Sequence, residues 1–162
     1  GATLCEMVCI HTLEKDEYEA VATDVAEIRD ELRTERDHLL GLAEADARVV
    51  DDLFPAADGD LDQSTLKQSI GVPLTIAETC LNVLHLATEV TEKGNRNAVA
   101  DAGTGVFLAR SALRAAVFTS RSNVDRVSDP SFVAEVERRT AEIEADADDA
   151  YERAMANIEA RE

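Results

Sequence analysis

Tryptophan is absent from the 162 residues and aromatic side chains make up only 4% of them. A core built around large rings is therefore excluded. Hydrophobic residues still reach 45%, supplied chiefly by Ala, Val, Leu and Ile, a composition that suits packed helices. Cysteine is scarce: Cys5 and Cys9 stand four apart and Cys80 is distant, which fits neither a disulfide framework nor zinc-ligand spacing. All three are expected to be reduced, small core residues. No stretch approaches the roughly 20 apolar residues of a membrane span, and no basic segment followed by an apolar signal core is present. A cytoplasmic protein without membrane contact is expected. There is no βαβ alternation, no Gly-rich phosphate loop and no internal repeat.

What the chain has in excess is negative charge. Thirty-four acidic against 16 basic residues give a formal net charge of -18, which repels phosphate backbones and anionic membrane surfaces, so nucleic acid is not an expected partner. The acids are spread over every segment, and only Lys15, Lys67 and Lys93 are lysines. That pattern is expected of a halophile's solvated surface, whose self-repulsion high salt screens. The length predicts one domain over residues 1–162. Because the chain opens with Gly1, an N-terminal portion is expected to be missing.

The hydrophobic period is helical almost throughout. A first helix spans Ala2 to about Ile10. From about Asp16 to Leu53, apolar residues recur in steps of three and four, and the same register puts Glu35 and Asp46 on the apolar seam, where a carboxylate needs a partner or a task. Residues 55–60, rich in Pro, Gly and Asp, read as a loop. A third helix runs from about Asp62 to Lys93, with Pro73 expected to free a backbone carbonyl and bend the axis. Lys93-Gly94-Asn95 reads as a stop, with Gly94 able to take a left-handed cap and Asn95 or Asn97 capping the next helix. That helix, to about Asn123, carries the small-residue stripe Ala98, Ala102, Gly105, Ala109, Ala112 and Ala116, which predicts close pairing with another helix. The last helix starts at Ser128-Asp129-Pro130. The predicted architecture is an all-α antiparallel bundle of about five long helices.

Three blocks of sequence carry a family likeness: Val72-Pro73-Leu74-Thr75-Ile76-Ala77-Glu78-Thr79, Glu92-Lys93-Gly94-Asn95-Arg96-Asn97-Ala98, and Ala100-Asp101-Ala102-Gly103. With Met7-Val8, Thr12, Lys15, Tyr18, Asp46-Ala47, Asn123 and Ser128-Asp129-Pro130-Ser131-Phe132, the chain resembles the formiminotransferase-cyclodeaminase C-terminal family over nearly its whole length. Two departures stand out. The family's Gly-rich segment before the first helix is lacking here, and an Asn that the family pairs with the position of Asn123 is Thr119. The resemblance implies an all-α homodimer acting on folates. One family reaction hydrolyses 5,10-methenyltetrahydrofolate to 10-formyltetrahydrofolate; the other cyclises 5-formiminotetrahydrofolate with loss of ammonia. The cyclohydrolase is the expected activity because no formiminotransferase domain accompanies this chain. A non-catalytic helical interaction protein is the alternative of a different class.

Both reactions need proton transfer beside a cationic carbon, which a carboxylate can serve. From the residues alone Asp101 is either a helix-start acid stabilised by the dipole or a catalytic group; the resemblance favours catalysis. Asp46 has three readings: a general acid whose pKa burial raises, a hydrogen-bonded structural carboxylate, or a partner for the pterin edge. Lys15 is the expected cation for the folate glutamate tail, with Thr12, Asn95, Asn97 and Asn123 as expected substrate contacts and Lys93 as a helix-end cation. His11, His38 and His85 lack mutual ligand spacing, so no metal is expected, and no cofactor beyond the folate itself.

Overall fold

The computed structural model describes residues 1–53 and 62–161. Five α-helices, α1 (Ala2–Leu13), α2 (Ala22–Leu53), α3 (Gln63–Lys93), α4 (Val99–Ser122) and α5 (Pro130–Glu159), are joined by short 3₁₀ segments at Asp16–Val21, Arg96–Ala98 and Val124–Arg126. No strand occurs among the described residues. The expected loop at residues 55–60 lies outside them. Where one helix was expected from about Asp16, a 3₁₀ segment precedes α2. Its acidic first turn, Asp16, Glu17 and Glu19, suits a helix start.

Helix α3 is the axis of the bundle, packed against α2, α4 and α5, while α1 lies against α2 and α4. It contains a stretch of mean hydropathy 1.4, more than half buried by its neighbours. By length and composition that stretch could cross a membrane, which corrects the expectation that none approaches such a length. Its apolar character is that of a helix enclosed on several sides. Leu32, Ile70, Leu84 and Leu113 are wholly buried, and Ala77, Ala87, Ala102, Ala147, Ala150 and Ala154 let the backbones approach. Fully burying one Leu or Ile contributes roughly 1.5–3 kcal/mol.

Among the described residues, the buried side-chain polar atoms are paired, with the exception of Arg110 Nε. Thr88 donates from its hydroxyl to the carbonyls of Leu84 (2.9 Å) and Ala150 (3.1 Å), and Asn157 donates to the Thr88 carbonyl and the Thr91 hydroxyl, tying α5 to α3. Glu6, buried on α1, accepts from Arg33 and Arg36 of α2. Asp129 caps α5, accepting from the backbone N–H groups of Ser131 and Phe132, while Lys67 of α3 donates to it at 2.7 Å. Lys67 and these hydrogen bonds hold the Asp129 carboxyl well below the usual carboxylate range. All three cysteines are free and buried; burial pushes the Cys5 and Cys9 thiols up to about 12 and Cys80 to about 11.

One glycine differs from expectation, and the small-residue stripe of α4 pairs closely with another helix as expected. Gly94 ends α3 in extended geometry, φ -69° and ψ 173°, not in the left-handed region. It is small because a Cβ there would meet the Val90 carbonyl at 2.6 Å and a Val8 methyl at 3.0 Å. The small-residue stripe of α4 is used largely within the chain: Ala102, Gly105, Ala109 and Ala116 are buried, and a Cβ on Gly105 would strike the Cys5 sulfur of α1.

Candidate active site

The connection from α3 to α4 is built on Thr12. Its wholly buried hydroxyl donates to the Val8 carbonyl at 2.7 Å and accepts from the Asn95 backbone N–H at 2.7 Å, pinning the turn to α1. The buried Asn95 side chain then accepts from the Asn97 N–H at 3.0 Å, the capping role expected of one of the two asparagines. Tyr18 accepts from the Arg96 N–H at 2.9 Å, which fixes the 3₁₀ segment Asp16–Val21 to the same turn. Arg161 donates to the carbonyls of Gly94 and Glu92, closing the end of α3. Lys93 is committed to Asp24 (3.1 Å) and Glu89 (2.9 Å), and these partners raise its pKa.

On this scaffold stand side chains that face solvent. Asn97 and Asp101 are exposed, and Asp101 sits in the first turn of α4. Lys15 is half-buried, with its ammonium 3.8 Å from Glu17. A cation, an amide and a carboxylate are thus presented at one end of the bundle. Thr12 and Asn95 are engaged beneath them, so their part in the site is to hold the turn. Tyr18 and Arg96 belong to the same end; both stand among the residues that carry the family likeness, which is the sequence signal that could have suggested a role for them.

Asp46 and Asn123 lie at the opposite end. Helix α2 runs antiparallel to α3, as Lys93–Asp24 and Asn82–Glu35 show, and that register continued places Asp46, half-buried, across from Gly71. Asn123 closes α4, about 33 Å from Asp101 at 1.5 Å per residue. Its amide nitrogen donates to the Ser69 carbonyl at 3.1 Å. Ser69 precedes Pro73 by four residues, so this is the carbonyl that proline leaves without an intrahelical donor. The next carbonyl, of Ile70, accepts from the Ser120 hydroxyl at 3.2 Å. The candidate residues therefore form two groups that a single chain holds apart.

A surface depression of about 650 Å³ runs along α5 and is lined by Asp146, Asp149, Glu152, Arg153 and Ala156. Three carboxylates make it a poor match for an anionic ligand, and it lies on a different face from Asp101.

The family described as Formiminotransferase-cyclodeaminase matches over residues 1–142. The chain is 32% identical over 156 residues to a methenyltetrahydrofolate cyclohydrolase of Methylorubrum extorquens, covering 89% of this chain and 74% of that one. Its fold is similar to the crystal structure of formiminotetrahydrofolate cyclodeaminase from Thermotoga maritima. There the TM-score is 0.92 at 23% identity, over 98% of this chain and 81% of the other, a likeness of fold alone.

Proposed function

Since the chain belongs to the formiminotransferase-cyclodeaminase family, we propose that it is a methenyltetrahydrofolate cyclohydrolase. The observation that carries this reading is the 32% identity to a cyclohydrolase across most of both chains. The arrangement at the α1–α4 end supports it.

The methenyl bridge is an amidinium-like cation, and water adds to its carbon. In this reading the exposed Asp101 takes one proton from that water as the C–O bond forms. The C–N5 bond of the tetrahedral carbon then breaks as the proton returns from Asp101 to N5, and the remaining hydroxyl proton leaves to solvent as the formyl carbonyl forms. The product is 10-formyltetrahydrofolate. A carboxylate beside a cationic carbon also stabilises charge before transfer. Lys15 meets a carboxylate of the glutamate tail, and Asn97 offers its amide to the polar edge of the substrate. Thr12 and Asn95 act as positioning residues. Asp46 and Asn123 complete the site from the other end of the bundle, which requires a homodimer. No metal or further cofactor enters the chemistry.

Purified protein in high salt should accelerate loss of the methenyl chromophore beyond the buffer-only rate. Fast ammonia release from 5-formiminotetrahydrofolate with background methenyl hydrolysis would assign the cyclodeaminase reaction instead. Background rates in both would remove the enzyme reading.

A further inference from the structure

Helices α3 and α5 run parallel. Glu78 pairs with Arg139, Thr88 with the Ala150 carbonyl and Thr91 with Asn157, so residue numbers rise together along both helices and their C-terminal ends lie side by side. That meeting is unfavourable in itself, because each end carries unpaired carbonyls and the negative pole of a helix dipole. Two arginines resolve it reciprocally. The guanidinium of Arg161, just past the end of α5, donates from Nη1 to the Gly94 carbonyl at 2.6 Å and from Nη2 to the Glu92 carbonyl. Arg96, just past the end of α3, donates from Nε to the Arg161 carbonyl at 2.7 Å. Arginines elsewhere, such as Arg33, Arg110 and Arg138, meet carboxylates; on a chain with 34 acids and 16 basic residues, two that meet carbonyls single this junction out.

The junction reaches the candidate site. Arg96 stands between Asn95 and Asn97, on the turn that the Thr12 and Tyr18 hydroxyls hold from the side of α1. Arg161 holds the same turn from the side of α5. The last turn of α5 also touches α4 two residues after Asp101, where a Cβ on Gly103 would meet Ile158 Cδ1 at 3.0 Å. The family match ends at residue 142, so Ile158 and Arg161 lie outside the part of the chain that carries it.

We propose that Arg161 is a positioning residue of the folate site: its grip on Glu92, Gly94 and Arg96 latches the turn that aims Asn97 at the substrate. The part in substrate binding rests on the cyclohydrolase reading; the latch on the turn does not. A guanidinium fork that bridges two carbonyls fixes distance and plane together, which a lone ammonium cannot do. Asp101 is carried by α4 itself and depends on the latch less. Losing the latch should therefore weaken binding more than chemistry.

Amide hydrogen exchange of the full chain in high salt reads the latch without any folate. In Arg161→Met the amides of Asn95, Arg96 and Asn97 should exchange about tenfold faster than in wild type, while Leu84 in the middle of α3 keeps its rate. Unchanged exchange in the turn would overturn the latch. A rise shared equally by Leu84 would mean a general loosening of the fold and overturn it too. Kinetics with 5,10-methenyltetrahydrofolate read the positioning. Arg161→Met should raise KM about ten- to a hundredfold, the range that a displacement of about 1 Å can cost, with kcat within about twofold of wild type. A lower kcat at unchanged KM is the pattern of a smaller active fraction, and it would overturn the positioning role. Arg161→Lys keeps the charge and loses the fork, so its KM should stay close to that of Arg161→Met. A wild-type KM in Arg161→Lys would mean that charge alone attracts the anionic folate, again overturning the role. A wild-type chain without folate turnover would instead overturn the folate reading, with the latch still judged by hydrogen exchange.

Discussion

At the scale of single residues, the candidate site separates into groups that hold the backbone and groups that are free to meet a ligand. Asp101 is the most exposed to this distinction: it stands in solvent on the first turn of α4, four residues after Asn97, so little of the fold depends on its charge. Asp101→Asn should leave the thermal midpoint close to wild type and lower turnover about 10²- to 10⁴-fold, the usual cost of losing a general acid or base. Near-normal turnover would move proton transfer elsewhere, with Asp46 next to be tested. The sequence made Asp101, Asn97 and Lys15 visible as polar residues around a turn. It did not reveal that Thr12 and Asn95 would be buried under that turn, because their hydrogen bond joins residues 83 apart. Nor did it separate Asp46 from Asp101, since helix phase says which face a residue occupies and nothing about the end of the bundle it reaches.

At the scale of elements, the five helices follow from apolar periods that agree with their caps, notably Asp129-Pro130 at the start of α5. What local pattern could not supply was the role of α3 as the enclosed axis, or the reason it tolerates Pro73. The reason is α4: Asn123 and Ser120 donate to the carbonyls of Ser69 and Ile70, so the turn weakened by proline is completed by side chains of a neighbouring helix. Asn123→Ala should strand the Ser69 carbonyl and cost about 1–3 kcal/mol of stability. Pro73→Ala restores a backbone N–H aimed at that carbonyl. In the Pro73→Ala background the Asn123→Ala loss should therefore shrink, and denaturant melts of the two single variants and the double variant measure the difference. Equal losses in both backgrounds would break the link between proline and asparagine.

At the scale of the whole molecule, charge is the dominant variable. Ion pairs such as Glu6 with Arg33 and Arg36, or Lys93 with Asp24 and Glu89, draw together scattered opposite charges, yet 16 basic residues cannot balance 34 acids. The excess repels across the surface, and it opposes folding because the unfolded chain can spread its charges apart. It opposes pairing of two copies as well, since each brings -18 toward the other even if the facing surfaces are neutral. Salt acts on both: the Debye length falls from about 10 Å at 0.1 M to about 3 Å at 1 M, which removes repulsion between distant carboxylates while leaving close or buried pairs largely intact. The melting temperature should consequently rise between those two concentrations, and the proposed dimer should tighten over the same range. Potassium chloride and sodium chloride should act alike if screening is the cause. A midpoint that stays level or falls as salt increases would show that the excess charge is not what limits stability, and the expected adaptation to high salt would lose its physical basis.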